Sequence, residues 1–361
     1  MTAALIHTDQ LPGRTLVVDG EEYLFFSGTS YLGISHNQEF RACLVEGMGR
    51  YGTNYSSSRN SNLRLKVFDE AEDALALWTG AEAALTMSSG YMAGQTVVQN
   101  FIDSGRFIYA PGAHPALWRS GLDATDANQT FNEWVIRLQQ DVPATPEQHI
   151  IIVCNSLDPL HAENYTFSWI AGLPEGKQYT IIIDDSHGFG VTGKGGAGCF
   201  RRLKEEHPKV RLIVLGSLGK ALGIPAGVVL SDKKTVEQLE QSPFFGGASP
   251  AVPAYLYAFV HCRKVFADAL DKLFFNIKTF ESKLEQPARF SFFENYPVFY
   301  TPNKQLCPFL LERKIVISSF RYPTPADDPI TRIVLSSLHT EDDLECLANH
   351  INRLEVVPSR V

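Results

Sequence analysis

Hydrophobic residues in this chain gather in short unbroken runs more often than in alternating ones. Ile181-Ile182-Ile183 runs into Asp184-Asp185-Ser186-His187-Gly188, and Leu212-Ile213-Val214-Leu215 into Gly216-Ser217-Leu218-Gly219-Lys220. Each run is rich in β-branched residues, too short for a lone helix and too apolar for a surface strand. Each therefore reads as a strand buried on both faces of a parallel sheet. Residues 83–87, 106–109 and 149–154 read as further strands. Helical patterns over 68–78 (acidic on one face), 92–101 and 134–140 alternate with them, and the alternation runs to about Ser231. That order predicts a mainly parallel sheet covered by helices on both faces. Ahead of it, residues 15–26 read as a β-hairpin turning at Asp19-Gly20, and 37–49 as a helix. After Asp232 the texture changes. Residues 250–284 read as one long helix. Strands at 297–300, 315–318 and 331–336 then alternate with helices at 303–312 and 340–354, which predicts a smaller α+β domain.

The strand ends carry the chemistry. In an open α/β sheet, ligands sit beyond the carboxyl ends of the strands, so Asp184, His187, Ser217 and Lys220 should point into one crevice. A carboxylate, an imidazole, a hydroxyl and an amine converging there can hold and use pyridoxal phosphate. The lysine would form a Schiff base with its aldehyde, and the aspartate would pair with the pyridinium nitrogen and keep the ring an electron sink. Singly, each residue has a plainer role: Asp184 as a turn cap, His187 as a satisfied buried histidine, Lys220 as a solvated lysine. Their joint placement on adjacent strand ends favours a site. Ser88-Ser89-Gly90-Tyr91, between a strand and a helix, exposes backbone N–H groups at a helix N-terminus and suits an anion, although such turns also serve as plain connections. The glycine- and serine-rich stretch 51–62 reads either as a mobile surface loop or as a lid or subunit-crossing loop.

Composition narrows the partners. The chain has 361 residues, 44% of them hydrophobic, and a formal net charge of −8. That is enough for a sizeable core and more than one domain. The acidic balance argues against nucleic acid as the main partner and supplies no polybasic membrane patch. Apolar runs stay well short of the roughly twenty residues needed to span a bilayer. Residues 1–10 lack a signal pattern, so a cytoplasmic location is expected. Six cysteines show no short C-x-x-C spacing and are expected to be reduced and mostly buried. Nothing in the His and Cys spacing suggests a metal site.

Asp184-Asp185-Ser186-His187-Gly188 and Gly216-Ser217-Leu218-Gly219-Lys220-Ala221 together resemble the signature of the α-oxoamine synthases, a branch of the fold-type-I pyridoxal-phosphate enzymes. The resemblance runs from about Gly13 to His350. It implies that fold: a large domain with a mainly parallel sheet covered by helices, plus a smaller α+β C-terminal domain. It implies Lys220 as the Schiff-base lysine, Asp184 as the partner of the pyridine nitrogen and His187 near the phenolic oxygen. His114, in Ala113-His114-Pro115, is similar to the histidine stacked on the pyridine face, and Ser156 to a serine near the phenolic oxygen. Gly90 and Tyr91 match the phosphate cradle, and Ser217 its hydroxyl. Arg332 matches the arginine that holds the amino-acid carboxylate, a role its planar guanidinium suits; its plainer role is a salt bridge. Ser30 stands before Tyr-Leu-Gly, where the family usually has Asn, and is taken as a substrate contact.

The resemblance also implies a homodimer with active sites at the subunit interface. The expected boundaries are an N-terminal segment at 1–40 packing with the small domain, a large cofactor domain at 41–270 and a small domain at 271–361. Three further departures stand out: Gly246-Gly247 replaces a hydroxyl-bearing pair that in the family reaches the neighbouring subunit's cofactor phosphate, the stretch after Ser156 is compressed to Leu157-Asp158-Pro159-Leu160, and little precedes Gly13, a region that in the family contributes to substrate and CoA handling. The reduced N-terminal region and the net charge of −8 predict weak or no affinity for acyl-CoA, with a smaller or carrier-bound donor or none. The expected reaction is condensation of an amino acid with an acyl thioester, releasing carbon dioxide. The alternatives are an aminotransferase, a non-CoA lyase or decarboxylase, and a catalytically idle subunit. Retention of Lys220, His114 and Arg332 argues against the last.

Overall fold

The computed structural model describes residues 7–121, 129–322 and 327–354. The first six residues of the N-terminal segment lie outside that description. Contacts divide the chain into two compact units. The first comprises Met1–His36, Pro159–Glu163 and Phe266–Val361; the second comprises Asn37–Asp158 and Asn164–Val265.

In chain order, β1 (Thr15–Val18) and β2 (Glu21–Phe26) form the antiparallel hairpin. Asp19 and Gly20 both have positive φ, +50° and +83°, as a type I′ turn requires. Asn37 caps α1 (Gln38–Tyr51) by accepting the Phe40 N–H. Then come α2 (Lys66–Thr79), β3 (Ala83–Met87), α3 (Gly90–Phe101), β4 (Arg106–Tyr109), α4 (Phe131–Ala144) and β5 (His149–Asn155). A two-stranded ribbon of β6 (Leu157–Asp158) and β7 (Glu163–Asn164) precedes β8 (Gln178–Asp184), α5 (Phe200–Glu206), β9 (Arg211–Ser217) and β10 (Gly227–Ser231). Next are α6 (Lys233–Glu240), α7 (Pro243–Gly247), α8 (Pro253–His261) and α9 (Arg263–Lys283). The chain ends with β11 (Val298–Thr301), α10 (Leu306–Leu311), β12 (Ile315–Arg321), β13 (Pro329–Val334) and α11 (Glu341–Asn352).

The second unit is built on a sheet in the order β3-β10-β9-β8-β5-β4. β4, β5, β8 and β9 run parallel, and the isoleucine-rich runs lie fully buried at its centre, as their composition predicts. β10 runs antiparallel to both its neighbours. The segment joining it to β9 holds no helix, and a parallel crossover needs a dozen or more residues. Leu85, Val97, Ile151, Ile182, Ile213 and Val229 form part of one apolar cluster.

The first unit has a five-stranded sheet, β1-β2-β12-β13-β11, in which only the β2–β12 pair is parallel. Phe280 and Phe299 meet edge to face at 4.9 Å in its core.

Two expectations are corrected. Residues 250–284 are two helices, not one, because the backbone leaves helical geometry at Cys262 (φ −111°, ψ 33°). The cysteines are not all reduced: Cys43 on α1 and Cys262 form a disulfide, while Cys154, Cys199, Cys307 and Cys346 are free. Close packing of α1 on α8 brings that pair together; a Cβ at Gly47 would sit 2.8 Å from the Ala254 carbonyl oxygen. Apart from these two corrections, one acidic residue of α2 is internal. Glu72 is buried and takes the Arg59 guanidinium at 2.5 and 2.9 Å, together with the Thr86 N–H and hydroxyl.

Candidate active site

Strand register brings the chemistry of the second unit to one edge of its sheet. Met87 and Ser217 both pair with Gly227, so β3 and β9 end level on either side of β10. Asn155 pairs with Asp184, so β5 and β8 do the same. The loops that leave this edge carry Gly90, His114, Ser156, His187 and Lys220.

Local hydrogen bonds fix the edge. The Asp184 carboxylate accepts the Ser186 N–H at 2.8 Å, and the Ser186 hydroxyl accepts the Ser217 N–H at 2.8 Å. The Ser217 hydroxyl in turn accepts the Gly219 N–H at 3.1 Å, closing the turn before Lys220. His114 lies within electrostatic reach of both Asp184 and Lys220. Loss of hydration holds its imidazole below the usual histidine range, Asp184 opposes that, and the Lys220 charge adds to it. Its Nδ1 lies 3.1 Å from the Ala116 N–H and accepts it, so the neutral ring carries its proton on Nε2. Lys220 and His187 are half-buried.

The Gly90 turn fits a phosphate. Ser89 caps α3 by accepting the Met92 N–H, which leaves the Gly90 and Tyr91 N–H groups as the open donors of the first turn. A Cβ at Gly90 would lie 2.7 Å from the Ser217 nitrogen, so only glycine lets the two turns approach. The Tyr91 side chain is 58% exposed, so its contribution to that cradle is its backbone.

Ser156 is turned inward. Its N–H donates to the Asp184 carbonyl at 2.9 Å, and its hydroxyl lies close enough to the Asp185 carboxyl to favour its charged form. Asp185 is fully buried; burial pushes its carboxyl up to about 6, against the pull of Ser156 and of the Cys199 N–H. Asp185 and Ser186 were not singled out in the sequence, although both lie within the Asp-Asp-Ser-His run. The stretch 51–62 is anchored on its own unit: besides the Arg59–Glu72 pair, Ser58 donates to the Gly246 carbonyl at 2.7 Å, and Asn60 to that of Glu240 at 2.9 Å.

Arg332 and Ser30 belong to the first unit. Arg332, 5% exposed, pairs with Tyr300 and Ser318 on the flanking strands. Its guanidinium donates to the Pro159 carbonyl at 2.5 Å and lies 5.3 Å from the centre of the Phe320 ring. None of the ion pairs among the described residues includes Arg332. A buried guanidinium without a counter-charge is costly, and a carboxylate ligand would supply one. Ser30 is exposed, and its carbonyl accepts the Ser336 hydroxyl at 3.3 Å.

This is the fold of the fold-type-I pyridoxal-phosphate transferases, and the strand-end residues fit that cofactor. The chain belongs to the aminotransferase class I and II family, whose sequence profile matches residues 122–351. The 8-amino-7-oxononanoate synthase of Azoarcus sp. (strain BH72) is 27% identical over 355 residues, covering 94% of this chain and 90% of that protein. Serine palmitoyltransferase of Sphingomonas wittichii superposes with a TM-score of 0.80 at 19% identity, covering 96% of this chain and 91% of the other. The 8-amino-7-oxononanoate synthase of Francisella tularensis does so with a TM-score of 0.71 at 22% identity, over 92% and 97% of the two chains. Among the described residues, no helix is long and apolar enough to cross a membrane.

Proposed function

We propose that the protein is a pyridoxal-phosphate-dependent acyltransferase of the α-oxoamine synthase type. It condenses an amino acid with an acyl thioester and releases carbon dioxide. The observation that carries this reading is the meeting of His114, Asp184 and Lys220 at the strand ends of one sheet. Bound pyridoxal phosphate would supply the electron sink for charge developing on the amino acid's α-carbon.

The chain's own residues do the rest. The Gly90 and Tyr91 N–H groups and the Ser217 hydroxyl would hold the phosphate. Asp184 would pair with the ring nitrogen and keep it protonated, and His114 would lie against the ring. His187 and Ser156 would serve the phenolic oxygen. The Lys220 amine would anchor the cofactor and carry the α-proton. Arg332 holds the amino-acid carboxylate, with Ser30 as a further substrate contact. The relatives' names support the acyl-transfer chemistry. We read the protein as a cytoplasmic homodimer. Exposed Leu63, Tyr91 and Phe244 in the second unit give that dimer apolar surface to bury.

Amino-group transfer is the second reading, favoured by the family match. The cofactor-loaded protein, offered small amino acids with acyl-CoA or carrier-bound acyl thioesters, should release carbon dioxide and free thiol together. Formation of a 2-oxo acid without thiol release would assign an aminotransferase. No turnover with any pair would overturn both readings.

A further inference from the structure

We propose that Asn155 is a positioning residue for His114: its side-chain amide, reaching from the end of β5, fixes the turn that sets the imidazole beside Asp184 and Lys220. Giving His114 the cofactor's ring face rests on the function proposed above; the placement of the imidazole does not.

β4 ends at Tyr109, and the next regular turn begins only at Pro115. His114 therefore sits in a connection with no ladder of its own, and Gly112 within it has a φ of +67°. The Asn155 Nδ2 donates to the Gly112 carbonyl at 2.7 Å, and its Oδ1 accepts the His114 N–H at 3.3 Å. A primary amide presents a donor and an acceptor on adjacent atoms and so satisfies both partners at once. Asp would set an oxygen against the Gly112 carbonyl, and an aliphatic residue would bond neither. Asn155 is also the register partner of Asp184. The strand pair that carries the ring-nitrogen carboxylate thus carries the tie that locates the imidazole. The far side of the turn is held by the Trp118 indole N–H on the Ala113 carbonyl, at 2.9 Å.

The charged groups facing the imidazole are Asp184, from the end of β8, and Lys220, beyond β9. Without the Asn155 tie the ring gains freedom to turn toward water, and its proton affinity should move up toward that of an ordinary histidine, about 6.5.

The test uses the full-length, cofactor-free chain with 13C-labelled histidine, the His114 signal being assigned by its loss in His114→Gln. In Asn155→Ala and Asn155→Leu, the His114 titration midpoint should rise while the melting temperature holds. In the loaded enzyme, the same variants should lose roughly tenfold in kcat with the amino-acid KM unchanged, the pattern of a lost transition-state interaction. A His114 titration identical to the parent's would overturn the proposal, as would a lowered melting temperature with His114 unmoved. If Asn155→Ala fails to fold, Asn155→Leu carries the test, because it keeps the size, adds no charge and bonds neither partner.

Discussion

Two buried arginines, one in each unit, differ in whether the chain supplies them with a counter-charge. Arg59 in the second unit is 4% exposed and Arg332 in the first is 5% exposed. Each lies against phenylalanine: Arg59 near Phe68 and Phe245, Arg332 near Phe320. The difference is the counter-charge. Arg59 is gripped through two nitrogens by Glu72, which supplies its counter-charge from within the unit. Arg332 meets a backbone carbonyl and pairs with no carboxylate among the described residues. The first arrangement holds α2 and β3 to a loop; the second would be completed by an anion from outside, as proposed for the amino-acid carboxylate.

Glu72→Gln should break that comparison most visibly. It strands Arg59 as a buried charge, and unfolding in urea should show a loss of about 3–5 kcal/mol. An unchanged midpoint would mean that Arg59 escapes to water. Arg332→Met should do the reverse. It removes a buried charge that has no counter-charge among the described residues, so the ligand-free protein should be as stable as the parent or more so. Affinity for the amino acid should fall by about 2–3 kcal/mol, roughly a hundredfold, as hydrogen bonds to a charged group are lost. Calorimetric titration of the loaded protein would read that loss, and full affinity in the variant would remove Arg332 from the substrate site.

The units also differ in how they answer pH. In the first, His339 donates to the Phe25 carbonyl, stacks on Phe26 at 4.0 Å and is held by burial at about 4. Its folded value lies below the ordinary 6.5. Between those pH values the unfolded chain binds a proton that the fold refuses, so stability falls as pH drops through that window, by about 3 kcal/mol in all. In the second unit, Asp185 at about 6 lies above its ordinary 3.8. Its protonated form favours the fold, so stability is lost as pH rises from about 4 through 6, by a similar amount. The two oppose each other. Unfolding measured at pH 7 and pH 4.5 should show the advantage of Asp185→Asn over the parent shrinking on acidification. The deficit of His339→Asn should shrink too. An Asp185→Asn advantage that grows on acidification would contradict the assignment.

The smallest contrast is in the helix caps. Thr130 and Thr340 each head a capping box, with Glu133 and Asp343 respectively. Either Thr→Ala change should cost about 1 kcal/mol. The loss at Thr340 should be the larger, because Asp343 is buried and also bonds Arg14 at 2.7 Å. Equal losses in thermal unfolding would show that the Arg14 contact adds nothing.

What could be read in the sequence was whatever one strand end carries on its own. Asp184, Ser217 and Lys220 were legible because a buried β-branched run stops at a polar residue. The hairpin at Asp19-Gly20 was legible because its turn demands those residues. Pairings made only by the fold were not. Cys43 and Cys262 lie 219 residues apart, and their bond coincides with a helix break that no proline or glycine announces. Glu72 looked like one of several surface acids on α2, because its partner sits in a loop with no periodicity. Asn155 looked like the end of a strand, because its two bonds run to a turn some forty residues earlier.

The central claim is that the strand ends of the second unit hold pyridoxal phosphate on Lys220. The direct test is to load the purified chain with the cofactor, reduce it with borohydride, digest it and locate the label by mass spectrometry. The account predicts a single labelled peptide, modified at Lys220, and no label in Lys220→Ala of unchanged melting temperature. Label on a different lysine, or an undiminished adduct in Lys220→Ala, would contradict it.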